Sequence, residues 1–242
     1  MRLIADCGNS TVKLAIAQHG GIWLHERVPA VTLELDRFLA AHSPAIDELV
    51  LLPAGRTSEA VSGWWSRAGG GRPCRVVGRE IAVPEVGQYP GFGLDRLVAG
   101  LAACAQEKVD LVVVDCGTAT TFTAWRADGP QLLGGLILPG AWACIAGLVA
   151  QAPALPAVEP WGAESSALQR ETPGAIGAAV GIGYPAMVRE CLERLQRESG
   201  YPALVVTGGN AAVLLGSVLP RRAYRPSLTA EGVEWLASGA EK

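Results

Sequence analysis

Hydrophobic and polar positions follow the same pattern in two stretches of this chain, residues 3–13 and 112–122. Each stretch is an apolar run that ends in an aspartate, a glycine turn with small hydroxyl residues, and a second apolar run. An extended run, a tight turn and a returning extended run are typical of a β-hairpin, so both stretches are predicted to form one. The repeated hairpin indicates a chain made of two related halves.

The predicted elements have the same order in both halves: three strands, a helix, a strand and a helix. In the first half, periodicity predicts strands at 2–6, 11–17 and 22–28, a helix at 34–42, a strand at 48–52, a helix at 57–68, a strand at 74–77 and a helix at 95–108. In the second half it predicts strands at 110–115, 119–126 and 131–137, helices at 141–150 and 174–199, a strand at 203–207, and helices at 210–217 and 229–238.

Three hairpin-linked strands followed by alternating strands and helices predict an α/β fold, with a mixed sheet and helices on its faces. Because the unit is duplicated, we expect two mixed sheets with flanking helices and a central cleft, divided as residues 1–109 and 110–242. Ligands bind outside the carboxyl ends of the strands in such sheets. The two hairpin aspartates, Asp6 and Asp115, stand at these strand ends.

The two aspartates have a functional and a structural interpretation. Carboxylates at equivalent strand ends could hold Mg²⁺ or another cation, directly or through water, and so admit the phosphates of ATP. Each could instead cap its own turn through an Asx hydrogen bond. The repetition of the aspartate with similar glycine and small polar neighbours favours the functional interpretation, and it predicts a nucleotide bound between the halves.

Composition limits the partners and the location that we expect. Half of the 242 residues (50%) are hydrophobic, so the chain can bury a sizeable core. A net charge of −3 and a pI of about 5.7 argue against nucleic-acid binding, which needs clustered excess lysine and arginine. Six scattered cysteines without metal-ligand spacing indicate buried, reduced thiols. Asp6 interrupts the N-terminal apolar run that could form a signal peptide, so a cytoplasmic location is expected.

A long uncharged segment, residues 129–158, raises the question of a membrane span. Glycine and proline interrupt the segment at 134–135 and 139–140, which predicts a short strand, a turn and the start of a helix. A span needs an uninterrupted helix to satisfy its backbone hydrogen bonds. We therefore expect no association with a membrane.

The common phosphate-loop and dinucleotide glycine motifs are absent, but two other glycine segments carry candidate chemistry. Residues 205–210 form a strand, a glycine turn and a helix start, where backbone could approach an adenine or a phosphate; a tight connection is the alternative.

Residues 91–96 bring Asp95 and Arg96 to the start of a helix. Asp95 could accept a hydroxyl proton and Arg96 could clamp an anion. They could equally be a helix cap and a surface residue.

In their order and spacing, the motifs resemble those of type III pantothenate kinases along nearly the full chain. The motifs are DCGNST at 6–11, GLDR at 93–96, DCGTAT at 115–120, GGLILPG at 134–140, Thr172, and TGGN at 207–210. That family belongs to the acetate and sugar kinase, Hsp70 and actin superfamily, so the resemblance implies a duplicated ribonuclease-H-like (actin-like ATPase) fold. It also implies ATP-dependent phosphorylation of pantothenate to 4′-phosphopantothenate, the first step of coenzyme A biosynthesis.

The resemblance further assigns roles to residues by their position. The ATP contacts would be Asp6, Cys7, Gly8, Asn9, Ser10, Thr11, Val12, Lys13 and Thr118. Asp6 would hold Mg²⁺ through water, and Asp115 would bind a monovalent cation, K⁺ or NH₄⁺. The pantothenate contacts would be Gly93, Leu94, Asp95, Arg96 and Thr172, with Asp95 as the catalytic proton acceptor. Members of the family are typically homodimers that complete the substrate pocket across the interface, so a homodimer is implied.

Three positions depart from the family pattern. Thr123 and Ala99 stand where an aspartate and an asparagine are frequent, and Val86 stands where a tyrosine is common. The nearby Tyr89 is a candidate substrate contact. These departures leave two alternatives open: a non-catalytic accessory or regulatory protein with the same fold, and a kinase of another small hydroxy compound such as a sugar.

Overall fold

The computed structural model describes residues 1–8, 11–18, 21–42, 46–53, 55–160 and 166–239. The chain forms two compact units: unit 1 contains Met1–Gln106 and Ser227–Lys242, and unit 2 contains Glu107–Pro226. The division predicted from the sequence placed everything after residue 109 in the second half, whereas the last segment of the chain packs with unit 1.

The observed elements follow the predicted order closely. In chain order they are β1 (Arg2–Cys7), β2 (Thr11–Gln18), β3 (Gly21–Pro29), α1 (Thr32–His42), β4 (Glu48–Leu52), α2 (Ser58–Ala68), β5 (Cys74–Val76), α3 (Leu94–Glu107), β6 (Leu111–Cys116), β7 (Ala119–Arg126), β8 (Gln131–Pro139), α4 (Ala141–Gln151), α5 (Thr172–Ser199), β9 (Ala203–Thr207) and α6 (Leu228–Ala237). Both repeated hairpins, β1–β2 and β6–β7, are present as predicted.

The helix predicted at 210–217 is wrong. A single 3₁₀ turn, Ala211–Val213, forms there, and a second one follows at Arg221–Ala223. The Leu214 N–H donates to the carbonyl oxygen of Ala211 at 2.8 Å, which is 3₁₀ spacing. Gly216, with a φ of +88°, then takes the backbone out of the helical region, and Leu215 and Leu219 form an isolated bridge.

The sheet of unit 1 has the order β3-β2-β1-β4-β5, with β1, β4 and β5 parallel and β2 antiparallel to both neighbours. Because successive strand side chains point to opposite faces, β1 contributes to two cores. Leu3 and Ala5 pack in the core that includes α1 and α2, and Ile4 packs in the core that includes α3 and α6. Asp6 therefore lies on the α3 face of the sheet.

Helix α6 is held to unit 1 by apolar packing and by an ion pair. Its Val233 is buried with Ile4 of β1 and Val98 of α3. At the same helix, Arg2 donates to the buried carboxylate of Glu234 at 2.6 Å. These contacts explain why a segment at the end of the chain belongs to the first unit.

The sheet of unit 2 has the order β8-β7-β6-β9, and β9 runs parallel to β6. Val112, Val114 and Cys116 of β6 face α5, where they are buried with Tyr184 and Val188. By alternation Asp115 points to the opposite face. Unit 2 thus repeats the strand pattern of unit 1, with the aspartate at the same strand end.

The long uncharged segment contains β8 and α4. In the part of the chain that the structure describes, no helix is both long enough and apolar enough to cross a bilayer. All six cysteines are reduced thiols. Three are buried as predicted, namely Cys7, Cys104 and Cys116, whereas Cys74, Cys144 and Cys191 are only half-buried.

Candidate active site

The first hairpin places Asp6 opposite Lys13 in the β1–β2 register. Cross-strand partners share one face of a sheet, so the two side chains meet. The carboxylate of Asp6 is buried, and Nζ of Lys13 lies 2.9 Å from its Oδ2 atom. This ion pair lies on the face of the sheet that α3 covers.

Hydrogen bonds from Thr57, at the start of α2, hold Gly8 of this hairpin in place. The Gly8 N–H donates to the carbonyl oxygen of Thr11 at 3.0 Å. The backbone N–H of Thr57, at 3.2 Å, and its hydroxyl, at 3.0 Å, both donate to the carbonyl oxygen of Gly8. Sequence reasoning missed Thr57 because it lies in another element, and only its place at the start of a helix hinted at a role.

The loop residues assigned to ATP do not all face the same way. Cys7 and Val12 are buried in the core with α1 and α2, on the face opposite Asp6. Burial raises the pKa of the Cys7 thiol to about 12, so it stays protonated at neutral pH. Asn9 and Ser10 lie outside the described residues.

Strand β3 adds basic side chains beside the ion pair. Arg27 is the cross-strand partner of Lys13, and His25 is the partner of Ala15. Burial lowers the pKa of His25 and the charge of Lys13 lowers it further, so the imidazole is neutral at neutral pH. The positive charge on this face therefore comes from Lys13 and Arg27, which sequence reasoning did not connect to each other.

Asp95 lies in the first turn of α3, close to the ion pair. Its pKa is raised by burial and by the negative charge of Asp6, while the Arg96 N–H, the Arg96 charge and Lys13 act in the opposite direction. The structure thus brings three predicted site residues, Asp6, Lys13 and Asp95, together within unit 1. A carboxylate whose pKa is raised is a stronger proton acceptor than an ordinary aspartate.

Gly93 permits this arrangement. The Leu97 N–H donates to the carbonyl oxygen of Gly93 at 3.2 Å, at the start of α3. A Cβ atom at position 93 would overlap Oδ1 of Asp95, so a side chain there would displace the carboxylate. Leu94 turns its side chain into the core that also contains Val77 and Ile81.

The β6–β7 hairpin of unit 2 repeats one hydrogen bond of the β1–β2 hairpin. The Gly117 N–H donates to the carbonyl oxygen of Ala119 at 3.0 Å, as Gly8 does to Thr11. Thr118 is exposed at the tip, and its carbonyl oxygen accepts the Gly140 N–H at 2.9 Å. The backbone of the turn is therefore held by Gly140, the residue between β8 and α4, while Thr118 stays exposed.

The glycine turn after β9 packs directly on this second hairpin. The backbone N–H of Asn210 donates to the carbonyl oxygen of Cys116 at 2.9 Å, and its side-chain amide donates to that of Gly117 at 2.9 Å. Gly208 has a φ of +93° beside the Asp115 carboxylate. The TGGN segment and the aspartate turn thus form one polar surface within unit 2.

Thr172 begins α5 and lies in a separate cavity of unit 2. The cavity has a volume of about 560 Å³, and Leu148, Ile176 and Val180 form much of its apolar wall. No contact described for Thr172 joins it to Asp115. All three residues at which this chain departs from the family pattern, Val86, Ala99 and Thr123, are buried. Ala99 lies in α3, and Thr123 accepts a hydrogen bond from the indole of Trp125 at 2.8 Å.

Comparison with known proteins identifies related sequences. The type III pantothenate kinase family matches residues 67–194 of this chain. A type III pantothenate kinase of Geobacter sulfurreducens is 31% identical over 240 residues, covering 97% of this chain and 90% of that protein. One of Akkermansia muciniphila is 30% identical over 250 residues, covering 98% of both. One of Desulfosudis oleivorans is 37% identical over 150 residues, and this alignment spans 62% of this chain and 58% of that relative.

Solved structures with the same architecture are more distant in sequence. A protein described as a Baf family transcriptional activator of Campylobacter jejuni has a TM-score of 0.56 at 18% identity, over 98% of each chain. The ethanolamine utilization protein EutJ of Carboxydothermus hydrogenoformans has a TM-score of 0.52 at 14% identity, over 97% of this chain and 89% of that one. At these identities the likeness concerns the fold alone, and it confirms the predicted actin-like ATPase architecture.

Proposed function

This chain belongs to the type III pantothenate kinase family, and from that membership we propose that it transfers the γ-phosphoryl group of ATP to the primary hydroxyl of pantothenate. The products would be ADP and 4′-phosphopantothenate, in the first step of coenzyme A biosynthesis. The structural observation that best supports the proposal is the position of Asp95 near Asp6 and Lys13.

In this proposal Asp95 orients the hydroxyl of pantothenate and accepts its proton as the new bond to phosphorus forms. Phosphoryl transfer depends on positioning and on neutralised phosphate charge, with a carboxylate taking the proton late. Arg96, the next residue along α3, would bind the carboxylate of pantothenate through charge-assisted hydrogen bonds. Gly93, Leu94 and Thr172 remain the other proposed substrate contacts.

The proposed phosphate contacts lie in the β1–β2 hairpin of unit 1. Lys13 and the backbone around Gly8 would contact phosphates, because an ammonium group and turn N–H groups both favour anions. Thr118 would contact the nucleotide from the second hairpin. The remaining loop residues keep the roles that the resemblance gave them.

Kinases of this family use a divalent metal ion with ATP. We assign Mg²⁺ to Asp6, through water, and K⁺ or NH₄⁺ to Asp115. Both aspartates offer carboxylate oxygens, which are hard ligands. In the described ranges, no group of three or more His, Cys, Asp or Glu side chains could cage a metal. That arrangement suits Mg²⁺, which usually keeps several waters and binds one or two carboxylates together with substrate phosphates. When bound, Mg²⁺ would neutralise the phosphate charge.

We also propose a homodimer. Unit 2 exposes large apolar side chains on β8 and α4: Ile137 is 60% exposed and Trp142 is 43% exposed. Contiguous exposed apolar surface on a globular protein marks interaction sites. Light scattering on the purified protein tests this proposal, with Trp142→Glu as the variant expected to become monomeric.

A cytoplasmic location and the absence of nucleic-acid and membrane partners remain predictions.

A coupled assay of ADP formation tests the proposed reaction. With ATP, Mg²⁺ and K⁺ present, ADP should form only when pantothenate is added, and mass spectrometry should find one phosphate added to pantothenate. Omitting K⁺ should lower the rate. Turnover with sugars but not with pantothenate would instead assign the chain to another small hydroxy compound. ATP binding without transfer to any alcohol would favour the non-catalytic alternative.

A further inference from the structure

A tight turn precedes the candidate substrate residues. The turn consists of Tyr89, Pro90, Gly91 and Phe92. Its Phe92 N–H donates to the carbonyl oxygen of Tyr89 at 3.0 Å. Proline at the second position and glycine at the third, with a φ of +84°, are typical of a type II turn. Such a turn brings the side chains of its first and last residues together.

The two aromatic rings meet at the mouth of this turn. The centroids of Tyr89 and Phe92 are 5.3 Å apart, and the planes cross at 81°, which is the edge-to-face arrangement that aromatic pairs prefer. The preceding segment is fixed as well: the side-chain amide of Gln88 accepts the Val86 N–H at 2.7 Å and donates to the carbonyl oxygen of Pro84 at 3.2 Å. The turn is therefore a rigid platform.

Arg96 rests on this platform. Its guanidinium carbon lies 4.1 Å from the centroid of the Phe92 ring and 6.0 Å from that of Tyr89. Its Nη1 atom donates to the Tyr89 hydroxyl at 3.1 Å. A cation over an aromatic face is stabilised by the ring quadrupole, by about 0.5–1 kcal/mol at exposed sites and about 2 kcal/mol when desolvated. The guanidinium thus lies over the Phe92 ring, and the Tyr89 hydroxyl accepts a hydrogen bond from one of its five N–H donors.

We propose that Phe92 is a positioning residue that fixes the Arg96 guanidinium next to Asp95, so that the site selects an alcohol carrying an anionic group at a set distance. The inference rests on the proposed function, since it needs Arg96 to bind the carboxylate of the substrate. A free arginine side chain loses about 2 kcal/mol of rotamer entropy when a ligand immobilises it. The aromatic platform removes part of that loss before the substrate arrives.

The test compares Phe92→Leu with Phe92→Tyr in purified full-length protein. Leucine keeps an apolar side chain but has no ring face, so the KM for pantothenate should rise about 2- to 30-fold, which corresponds to the cation–π range above. The KM for ATP and kcat should change less than twofold. Tyrosine should restore the KM for pantothenate. Trp23→Leu, an aromatic-to-leucine change at an exposed position of β3, serves as the matched control and should leave the KM for pantothenate unchanged.

Two further measurements separate this inference from the proposed function. Pantothenol, which has a hydroxymethyl group in place of the carboxylate, should be phosphorylated equally well by wild type and Phe92→Leu. Peptide mapping after phenylglyoxal treatment should show faster modification of Arg96 in Phe92→Leu, whatever the substrate of the enzyme is. An unchanged KM for pantothenate, a failure of tyrosine to restore it, or equal modification rates would overturn the positioning role. A wild type inactive on pantothenate with faster Arg96 modification in Phe92→Leu would reject only the proposed function.

Discussion

Nζ of Lys13 lies 2.9 Å from Oδ2 of Asp6, and the two residues are direct partners in the β1–β2 register. The Asp6 carboxylate is buried and the Lys13 side chain is only 25% exposed, so the pair is partly shielded from water. Removing one member of such a pair costs more than a surface ion pair does, because the other charge keeps its desolvation penalty. The ion pair therefore stabilises the hairpin, and its lysine is also the residue proposed to contact the phosphates of ATP.

Lys13→Met is expected to weaken ATP binding and to destabilise the protein. Hydrogen bonds to charged groups contribute about 1.5–3 kcal/mol, which converts to a rise in the KM for ATP of roughly 10- to 150-fold. Initial-rate kinetics and thermal denaturation measure the two effects. Lys13→Arg keeps the positive charge and is the control that should retain most of both. An unchanged KM for ATP in Lys13→Met would exclude a phosphate contact.

Asp95→Asn should lower turnover by orders of magnitude while making the fold more stable at neutral pH. A positioned general base contributes about 10²–10⁴-fold, so kcat should fall by that factor. Because burial raises the pKa of Asp95, its ionised form is disfavoured in the folded state. Asparagine removes that charge and retains an acceptor for the Arg96 N–H. Single-turnover kinetics and calorimetry at pH 8 test both statements, and a variant with full turnover would remove Asp95 from the catalytic role.

The stability difference between Asp95→Asn and wild type should depend on pH in a defined direction. The raised pKa means that the folded protein binds the proton more tightly than the unfolded chain, whose aspartate titrates near 3.8. The ionised carboxylate therefore costs stability fully above the raised pKa, and the cost disappears as pH falls to 3.8. Melting temperatures of the two proteins should differ at pH 8 and converge toward pH 4. A constant difference would contradict the burial effect.

The same shift predicts how activity responds to acid. Protonated Asp95 cannot accept the hydroxyl proton, so kcat/KM for pantothenate should fall as pH drops through its raised pKa, above 3.8. The charge of Asp6 contributes to the shift, so Asp6→Asn should lower the pKa of Asp95. Carbon-13 NMR titration of the Asp95 carboxyl measures it directly, without relying on ATP binding. Titration at or below 3.8 in wild type would rule out the predicted acid limb.

The sequence predicted the sheets well because their central strands, β1, β4 and β6, are short apolar runs that end beside a glycine or a proline. Within β1 the side chains alternate between two covered faces, so Asp6 lies on the same face as Ile4, which packs in the α3 and α6 core. Helix α6 was predicted as an element, but its unit was not, because no local pattern reports that Val233 packs with Val98. Hydrophobic periodicity reports the element that a segment forms, but not which distant residues that element contacts.

The candidate site was predictable where one motif carries several residues, and less so where separate elements meet. The GLDR segment predicted Asp95 and Arg96 at a helix start, as observed. Thr57 and Arg27 were missed, since each reaches the first hairpin from another element and neither stands in a recognisable motif. The aromatic platform beside Arg96 depends on a Pro-Gly turn, and no motif in the sequence indicates that this turn brings Tyr89 and Phe92 together.

Gly208→Ala tests whether the turn after β9 supports the Asp115 surface. At a φ of +93°, a side chain is strained, and a Cβ atom there would overlap Oδ1 of Asp115 and lie 2.5 Å from the backbone N of Cys116. Gly129→Ala is the matched control, because its φ of +61° is also positive but no atom lies within 4 Å of the added methyl group. Strain alone, about 1–2 kcal/mol, applies to both positions. Only Gly208→Ala should additionally weaken ATP binding, measured by titration calorimetry with ATP and Mg²⁺. Equal losses of stability with unchanged ATP affinity in both variants would show that the turn contributes to the fold and not to the nucleotide site.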